Sequence, residues 1–397
     1  MDNFKYALIN DTDIEIPYFI HMAVTGLIGI KTYEKIKEGF LSPKAFFEAD
    51  ASKLENLKLF PGERLKRVIE SRKMIDPKRE YERLLKENIH FLSIESDDYP
   101  NRLRDLKDAP PFIFYKGKLP KEKEATISVV GARECSVYGM NVATRLGELI
   151  ASYKVSLISG MARGIDSISQ LSAVNAGGYS LAVLGGGVEH IYPRESRILY
   201  ERLCEDGGVM SEIYPSVQPM KAFFAQRNRL ISGMSDCVCV VEAKEKSGTL
   251  ITVDCALEQG REVFAVPGRI SDITSFGTNE LINQGAGMIT DIDGFMEEFT
   301  RRFCVPMSQA SINNEETDTK LLKNLNKNEI RIIKAIDENS FTPEQLSETL
   351  LLPAYEILSL CISLTGKAFL KNVGAGRFMP LQKAVDTKNF LLANASC

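Results

Sequence analysis

From Thr126 to about Thr290 the chain repeats one pattern: a short apolar, β-branched run, a glycine-bearing turn, then a stretch with helical spacing. The runs are Thr126–Val130, Val155–Ser159, Ser180–Leu184, Gly208–Ser211, Cys237–Val241, Val263–Val266 and Met288–Thr290. Strands that are apolar at nearly every position are covered on both faces, and their alternation with amphipathic helices predicts a parallel sheet. The expected fold class is α/β, a Rossmann-like doubly wound parallel sheet.

The flanks read differently. Residues 1–85 predict a helical domain of helix-hairpin-helix or SAM-like type. In it Leu27-Ile28-Gly29-Ile30-Lys31-Thr32 and Phe60-Pro61-Gly62-Glu63-Arg64-Leu65 each place a glycine turn before a basic amphipathic helix. Such a turn offers N–H groups to a phosphate, or forms a helical hairpin that only packs. The Rossmann-like domain takes residues 86–305. Residues 306–327, polar and poor in aromatics, read as a linker. Residues 328–385 predict a small winged helix, with helices from Asn328, Pro343 and Pro353 and a hairpin around Gly374-Ala375-Gly376. The tail beyond Val385 is expected to fray.

Composition narrows the classes. The 397 residues carry 49 Lys+Arg against 53 Asp+Glu, a net charge of −4. A polyanion site must therefore be a local basic cluster on an acidic background. Charges at Asp2, Lys5, Asp11, Asp13 and Glu15 interrupt any secretory h-region, and no apolar run reaches the ~18 residues of a membrane span. The expected location is cytoplasmic, with no membrane contact. Among eight cysteines there is no C-x-x-C pair, and Cys237 and Cys239 are assigned to opposite faces of one strand, so neither a zinc site nor a disulfide framework is expected. His21, His90 and His190 are read as surface or turn residues.

In an open parallel sheet, ligands bind beyond the carboxyl ends of the strands. Four small turns fall there: Gly131-Ala132-Arg133, Ser159 to Gly164, Gly185-Gly186-Gly187 and Ser247-Gly248-Thr249. Each can present free N–H groups and a helix dipole to an anion, or can be a helix start that needs close backbone approach. Arg133, Arg163, Arg194 and Arg197 lie in or just after these turns. The window Pro219 to Ser235 is net +3, with Lys221, Arg227 and Arg229. Phe223 and Phe224 in that window either stack a base or, as the commoner fate of phenylalanine, join the core. The chain has no G-x-x-x-x-G-K-[ST], no G-x-G-x-x-G and no G-x-S-x-G, which counts against ATP-driven motors, NAD binding and serine hydrolysis. Asp166, Glu189, Glu212, Glu242 and Asp254 are assigned capping and arginine-pairing roles before acid–base ones.

Seven motifs in order strengthen the reading. They are Val129-Val130-Gly131-Ala132-Arg133, Ser159-Gly160-Met161-Ala162-Arg163-Gly164-Ile165-Asp166, Ala182 to Gly187 with Tyr192-Pro193, Ser211-Glu212, Gln226-Arg227-Asn228-Arg229-Leu230-Ile231-Ser232-Gly233, Ser247-Gly248-Thr249-Leu250-Ile251-Thr252 and Glu262 to Gly268. Over residues 126–290 this set resembles the DprA/Smf family of DNA-processing proteins. The resemblance implies a cytoplasmic bacterial protein without enzymatic activity or cofactor. It would bind single-stranded DNA without sequence preference and load the recombinase RecA in natural transformation, as a homodimer. By motif match, the implied DNA contacts are Arg133, Ser159, Gly160, Arg163, Lys221, Arg227, Arg229, Ser247 and Gly248, flanked by Arg194 and Arg197. Ala225, Gly186 and the segment after Glu212 depart from the family pattern, and the first and last of these bear on local loop shape more than on charge.

A rival of another class is a nucleotide-binding enzyme similar to the lysine-decarboxylase-like phosphoribohydrolases. Glu245-Lys246-Ser247-Gly248-Thr249 lacks the Pro-Gly-Gly that those enzymes carry before the turn. The winged helix is expected to contact protein and not DNA. Pro343 to Leu364 holds Glu344, Glu348 and Glu356 with no Lys or Arg, which is unfavourable beside phosphates.

Overall fold

The computed structural model describes residues 11–303 and most of 325–391, so the expected linker lies almost wholly outside the described residues, as does the last part of the tail. Nine strands form one sheet: β1 (His90–Ser93), β2 (Phe112–Gly117), β3 (Thr126–Val130), β4 (Ser156–Ser159), β5 (Ser180–Val183), β6 (Gly208–Ser211), β7 (Cys237–Val240), β8 (Glu262–Ala265) and β9 (Gly287–Met288). Their order is β1-β2-β6-β5-β4-β3-β7-β8-β9. The seven strands from β3 to β9 are mutually parallel, as the apolar runs predict. β1 and β2, which the repeating pattern did not reveal, add an antiparallel pair beside β6.

Chain order reverses at β3, which pairs with β4 on one side and β7 on the other. The loops leaving β3 and β7 therefore diverge and open a crevice between them.

Six helices precede the sheet: α1 (Asp11–Val24), α2 (Ile30–Gly39), α3 (Pro43–Glu48), α4 (Ala51–Asn56), α5 (Gly62–Met74) and α6 (Pro77–Lys86). Asp76 caps α6 through the Lys78 and Arg79 N–H groups, with Pro77 at the first helical position. These helices share a core with the sheet edge: Phe19, Tyr33, Phe46 and Val68 pack with Phe112 of β2. Arg83 of α6 adds an ion pair of 2.5 Å to Glu189 in the loop after β5.

Within the α/β unit lie α7 (Asn101–Arg104), α8 (Val137–Ser152), α9 (Ile165–Asn175), α10 (Arg197–Asp206), α11 (Lys221–Gly233), α12 (Thr249–Glu258), α13 (Phe276–Asn283) and α14 (Ile292–Arg302). Val130, Val238 and Val240 face α11 and α12, whereas Ile127, Val129 and Val241 face α8 and α14. Cys237 and Cys239 lie in that second cluster together. This corrects their assignment to opposite faces, because residues two apart on a strand share a face. Among the described residues no cluster of three or more His, Cys, Asp or Glu could hold a metal, and no single helix is long and apolar enough to cross a membrane.

The C-terminal module comprises α15 (Lys327–Ala335), α16 (Pro343–Leu350), α17 (Ala354–Gly366), β10 (Leu370–Gly374) and β11 (Arg377–Pro380) around its own core of Ile332, Ile357, Leu364 and Phe378. Three helices followed by a hairpin reproduce the expected winged-helix order.

His21 is not a surface residue. It is fully buried beside Ser71 with Phe47 edge-on, and burial lowers its pKa to about 4 from an ordinary 6.5. The unfolded chain therefore binds this proton first. The stabilisation is complete above pH 6.5 and is lost as pH falls toward 4, by roughly 2–3 kcal/mol. Denaturant melts at pH 7 and pH 4.5 are expected to show that loss, and His21→Phe is expected to shrink it.

Candidate nucleic-acid interface

The crevice at the β3/β7 reversal is a cleft of about 720 Å³. One wall is the loop after β3, Gly131 to Glu134, and the opposite wall is Lys244 to Thr252, the loop after β7 and the start of α12. The amino-terminal half of α11 closes a third side with Lys221, Phe224, Arg227 and Asn228, and Tyr192 stands at the rim. Cross-ties fix the walls: the Thr249 hydroxyl donates to the Gly131 carbonyl at 3.1 Å, and the Asn228 amide donates to the Gly248 carbonyl at 3.4 Å.

Charge is concentrated here. Arg133, Lys221, Arg227, Lys244 and Lys246 line the cleft against only Glu134 and Asp166. Arg133, Lys221, Lys244 and Lys246 are exposed, and none forms an ion pair with a described residue. Cations left in water at one concave site keep their charge available to an anion. Arg133 also lies over the Phe224 ring at 6.0 Å, and Tyr192 sits 5.2 Å from the same ring. Phe224 is half-buried and lines the cleft, so the core assignment does not hold for it.

Of the four turns, one is open. At Ser247-Gly248-Thr249 the Ser247 hydroxyl accepts the Thr249 N–H at 3.2 Å, while the Gly248 N–H has no partner among the described residues. Gly248 is exposed, with empty space around the position a Cβ would take. Two of the others are filled from within, and at the first, Gly131-Ala132-Arg133, the helix that follows already has its cap. Glu242, fully buried, accepts the Ser136 N–H at 2.9 Å and so already supplies the anion at the start of α8. The Gly160 N–H donates to Asp166 at 3.1 Å and the Met161 N–H to Gln170 at 3.0 Å. Gly185 and Gly186 make room for Phe224 and Pro219, which would lie 2.6 and 2.8 Å from added Cβ atoms. Close approach, not anion binding, accounts for those glycines.

The other expected contacts divide accordingly. Ser247, Gly248, Arg133 and Lys221 come together in the cleft. Ser159 is buried with its hydroxyl on the Val129 carbonyl at 2.6 Å, and Gly160 lies behind Arg227, so neither is among the residues that line the cleft. Arg227 is 5% exposed and donates to the carbonyls of Gly160, at 2.8 Å, and Val183. Burial lowers its pKa to about 10 against the pull of Asp166, whose own carboxyl is raised by burial. It braces the ends of β4 and β5 and only borders the cleft.

Arg229 points the other way, pairing with Asp108 at 2.9 Å and Glu212 at 2.6 Å. Arg227, two residues earlier, faces the cleft, and helical residues two apart diverge by about 200°. Arg163 and Arg197 are exposed on the ridge of α9 and α10, paired with Glu195 at 2.5 Å and Glu201 at 3.5 Å, and Arg194 stands exposed between them. Lys244 and Lys246 were missed. Their signal was available: two lysines in the turn directly after an apolar strand.

Residues 90–300, more than half the chain, match the model of the family described as DNA recombination-mediator protein A. The chain belongs to that family. It is 41% identical over 217 residues to the DNA processing protein DprA of Bacillus subtilis, covering 54% of this chain and 73% of that one. It is 40% identical over 207 residues to DprA of Streptococcus pneumoniae, covering 52% and 73%. The X-ray structure of the Streptococcus pneumoniae protein superposes with a TM-score of 0.62 at 32% identity, covering 71% of this chain and 98% of that one. The family match contains the entire sheet from β1 to β9, so the cleft is built wholly from the family domain.

Proposed function

We propose that this protein binds single-stranded DNA in the β3/β7 cleft without sequence preference and hands the strand to RecA during recombination and natural transformation. The observation that carries the reading is the set of four unpaired cations, Arg133, Lys221, Lys244 and Lys246, around the open amino terminus of α12. Successive phosphates would meet these charges and the Gly248 N–H, while bases stay free or stack on Phe224 and Tyr192. Asn228, whose amide could read a base edge, already donates to the Gly248 carbonyl and accepts from Arg227, which accords with tolerance of sequence. A duplex is wider and stiffer than a strand that must bend into a crevice, so single strands are preferred. The proposed location is the cytoplasm, and the proposed working form a homodimer, in which two clefts on one longer strand would add avidity.

The phosphoribohydrolase alternative is not favoured. The family match is to a recombination mediator, and Asp166, the buried carboxylate beside the cleft, is occupied by the Gly160 N–H.

Neutralising ~3 or 4 phosphates predicts a log K against log salt slope near −2 to −3 for a labelled oligo-dT. Removing residues 310–397 is expected to leave both affinity and slope nearly intact. A slope near zero, or a tenfold loss of affinity on truncation, would remove the basis for the reading.

A further inference from the structure

The outer face of α17 departs from what its place in the fold predicts. In a winged helix the corresponding helix enters a DNA groove and meets it with donors and cations. On α17 the solvent side is Tyr355, Leu358 and Ile362, which are 77%, 40% and 60% exposed, and Leu351 in the preceding turn is 88% exposed. Positions three and four apart form one stripe, the spacing at which a second helix packs. These are not core residues displaced outward, because Ile357, Cys361 and Leu364 fill the module's core from the opposite side and are fully buried.

The electrostatics point the same way. From Pro343 through Gly366 there is no Lys or Arg, while Glu344 and Glu348 stand exposed on α16. Two nearby cations are occupied: Lys367 pairs with the buried Glu329 at 2.7 Å, and Arg331 donates to the Leu350 carbonyl at 2.6 Å. A phosphate backbone would meet an apolar surface beside two uncompensated carboxylates. A second copy of this face would bring like charges together. Both are disfavoured by charge, whereas a cationic partner is favoured.

We propose that this face docks a basic amphipathic helix of another protein, whose apolar side covers Tyr355, Leu358 and Ile362 and whose lysines or arginines meet Glu344 and Glu348. Helix-in-groove recognition uses this combination of apolar anchors and a charged rim. The site is separate from the β3/β7 cleft, so it can bring a partner to a protein already holding a strand.

The test uses the full chain and a fluorescein-labelled Leu/Lys peptide of about four helical turns, with its Leu/Glu counterpart as control. Anisotropy at ~0.15 M salt is expected to show binding of the Leu/Lys peptide only. Leu358→Asp, and separately Glu344→Lys with Glu348→Lys, are each expected to weaken it by at least about tenfold. All three positions are exposed, so the melting curve is expected to stay unchanged. If Leu358→Asp unfolds the module, the double glutamate variant, which leaves the apolar stripe intact, decides alone. The proposal is overturned by absence of binding or by equal binding of both peptides. It is overturned too if the variants retain full affinity, or if sedimentation shows that Leu358→Asp splits a dimer. Loss of duplex DNA binding in Leu358→Asp would likewise overturn it.

Discussion

Arg227→Ala is expected to lower the principal melting transition by on the order of 10 °C, the equivalent of about 3–5 kcal/mol. The substitution removes the donor that joins the Gly160 and Val183 carbonyls at the ends of β4 and β5. It also leaves Asp166 buried without the positive charge that opposes its desolvation. Breaking a buried charge arrangement by deleting one partner strands the other, and that cost exceeds the value of any single hydrogen bond. Arg227→Lys is expected to recover little, because one ammonium cannot reproduce a planar fork that serves two carbonyls. DNA affinity would fall in this variant as a consequence of the damaged wall. A melting shift below about 2 °C would show that Arg227 is not the brace described here.

The opposite behaviour is expected of the exposed cations. Arg133→Ala combined with Lys246→Ala is expected to weaken oligo-dT binding by about two orders of magnitude, at ~1–2 kcal/mol for each charge-assisted contact. The salt slope is expected to become shallower by about 1.4, since each lost phosphate contact removes ~0.7. The melting temperature is expected to stay where it is, because neither side chain is buried or paired. Arg163→Ala and Arg197→Ala serve as comparison. Their guanidiniums already face Glu195 and Glu201, so a smaller loss is expected. Arg229→Ala belongs with Arg227 in kind: it strands Glu212, whose carboxyl burial already raises, and lowers stability without a selective effect on DNA.

Much of the architecture could be read from the chain because its signal is local. The apolar runs from Thr126 to Thr290 became the seven parallel strands, and the glycine turns mark where they end. β1 and β2 escaped because only pairing with β6 makes them strands, and that contact joins residues far apart in sequence. The cleft was legible as a place, since strand ends and the β3 reversal follow from topology. Which way each arginine points was not. Arg227 and Arg229 look equivalent in the string Arg-Asn-Arg, yet one side of α11 meets the β4 and β5 ends and the other meets Asp108 and Glu212. Likewise Gly160 and Gly186 match an anion-binding pattern, and only the position of Arg227 and Pro219 reveals that each glycine exists to let a neighbour in. Lys244 and Lys246 lie just before the Ser247-Gly248-Thr249 motif, so their place in the cleft follows from the sequence without any long-range contact.

The claim on which these results converge is that a cationic crevice, not the surface at large, selects an unpaired strand. Competition between a labelled oligo-dT and a duplex of equal length, at ~0.05 and ~0.2 M salt, tests it directly when run on the parent chain and on Arg133→Ala with Lys246→Ala. The parent chain is expected to prefer the single strand by at least about tenfold at both salts, and the double variant to lose most of that preference. Equal affinity for duplex and single strand, or a double variant indistinguishable from its parent, would contradict it.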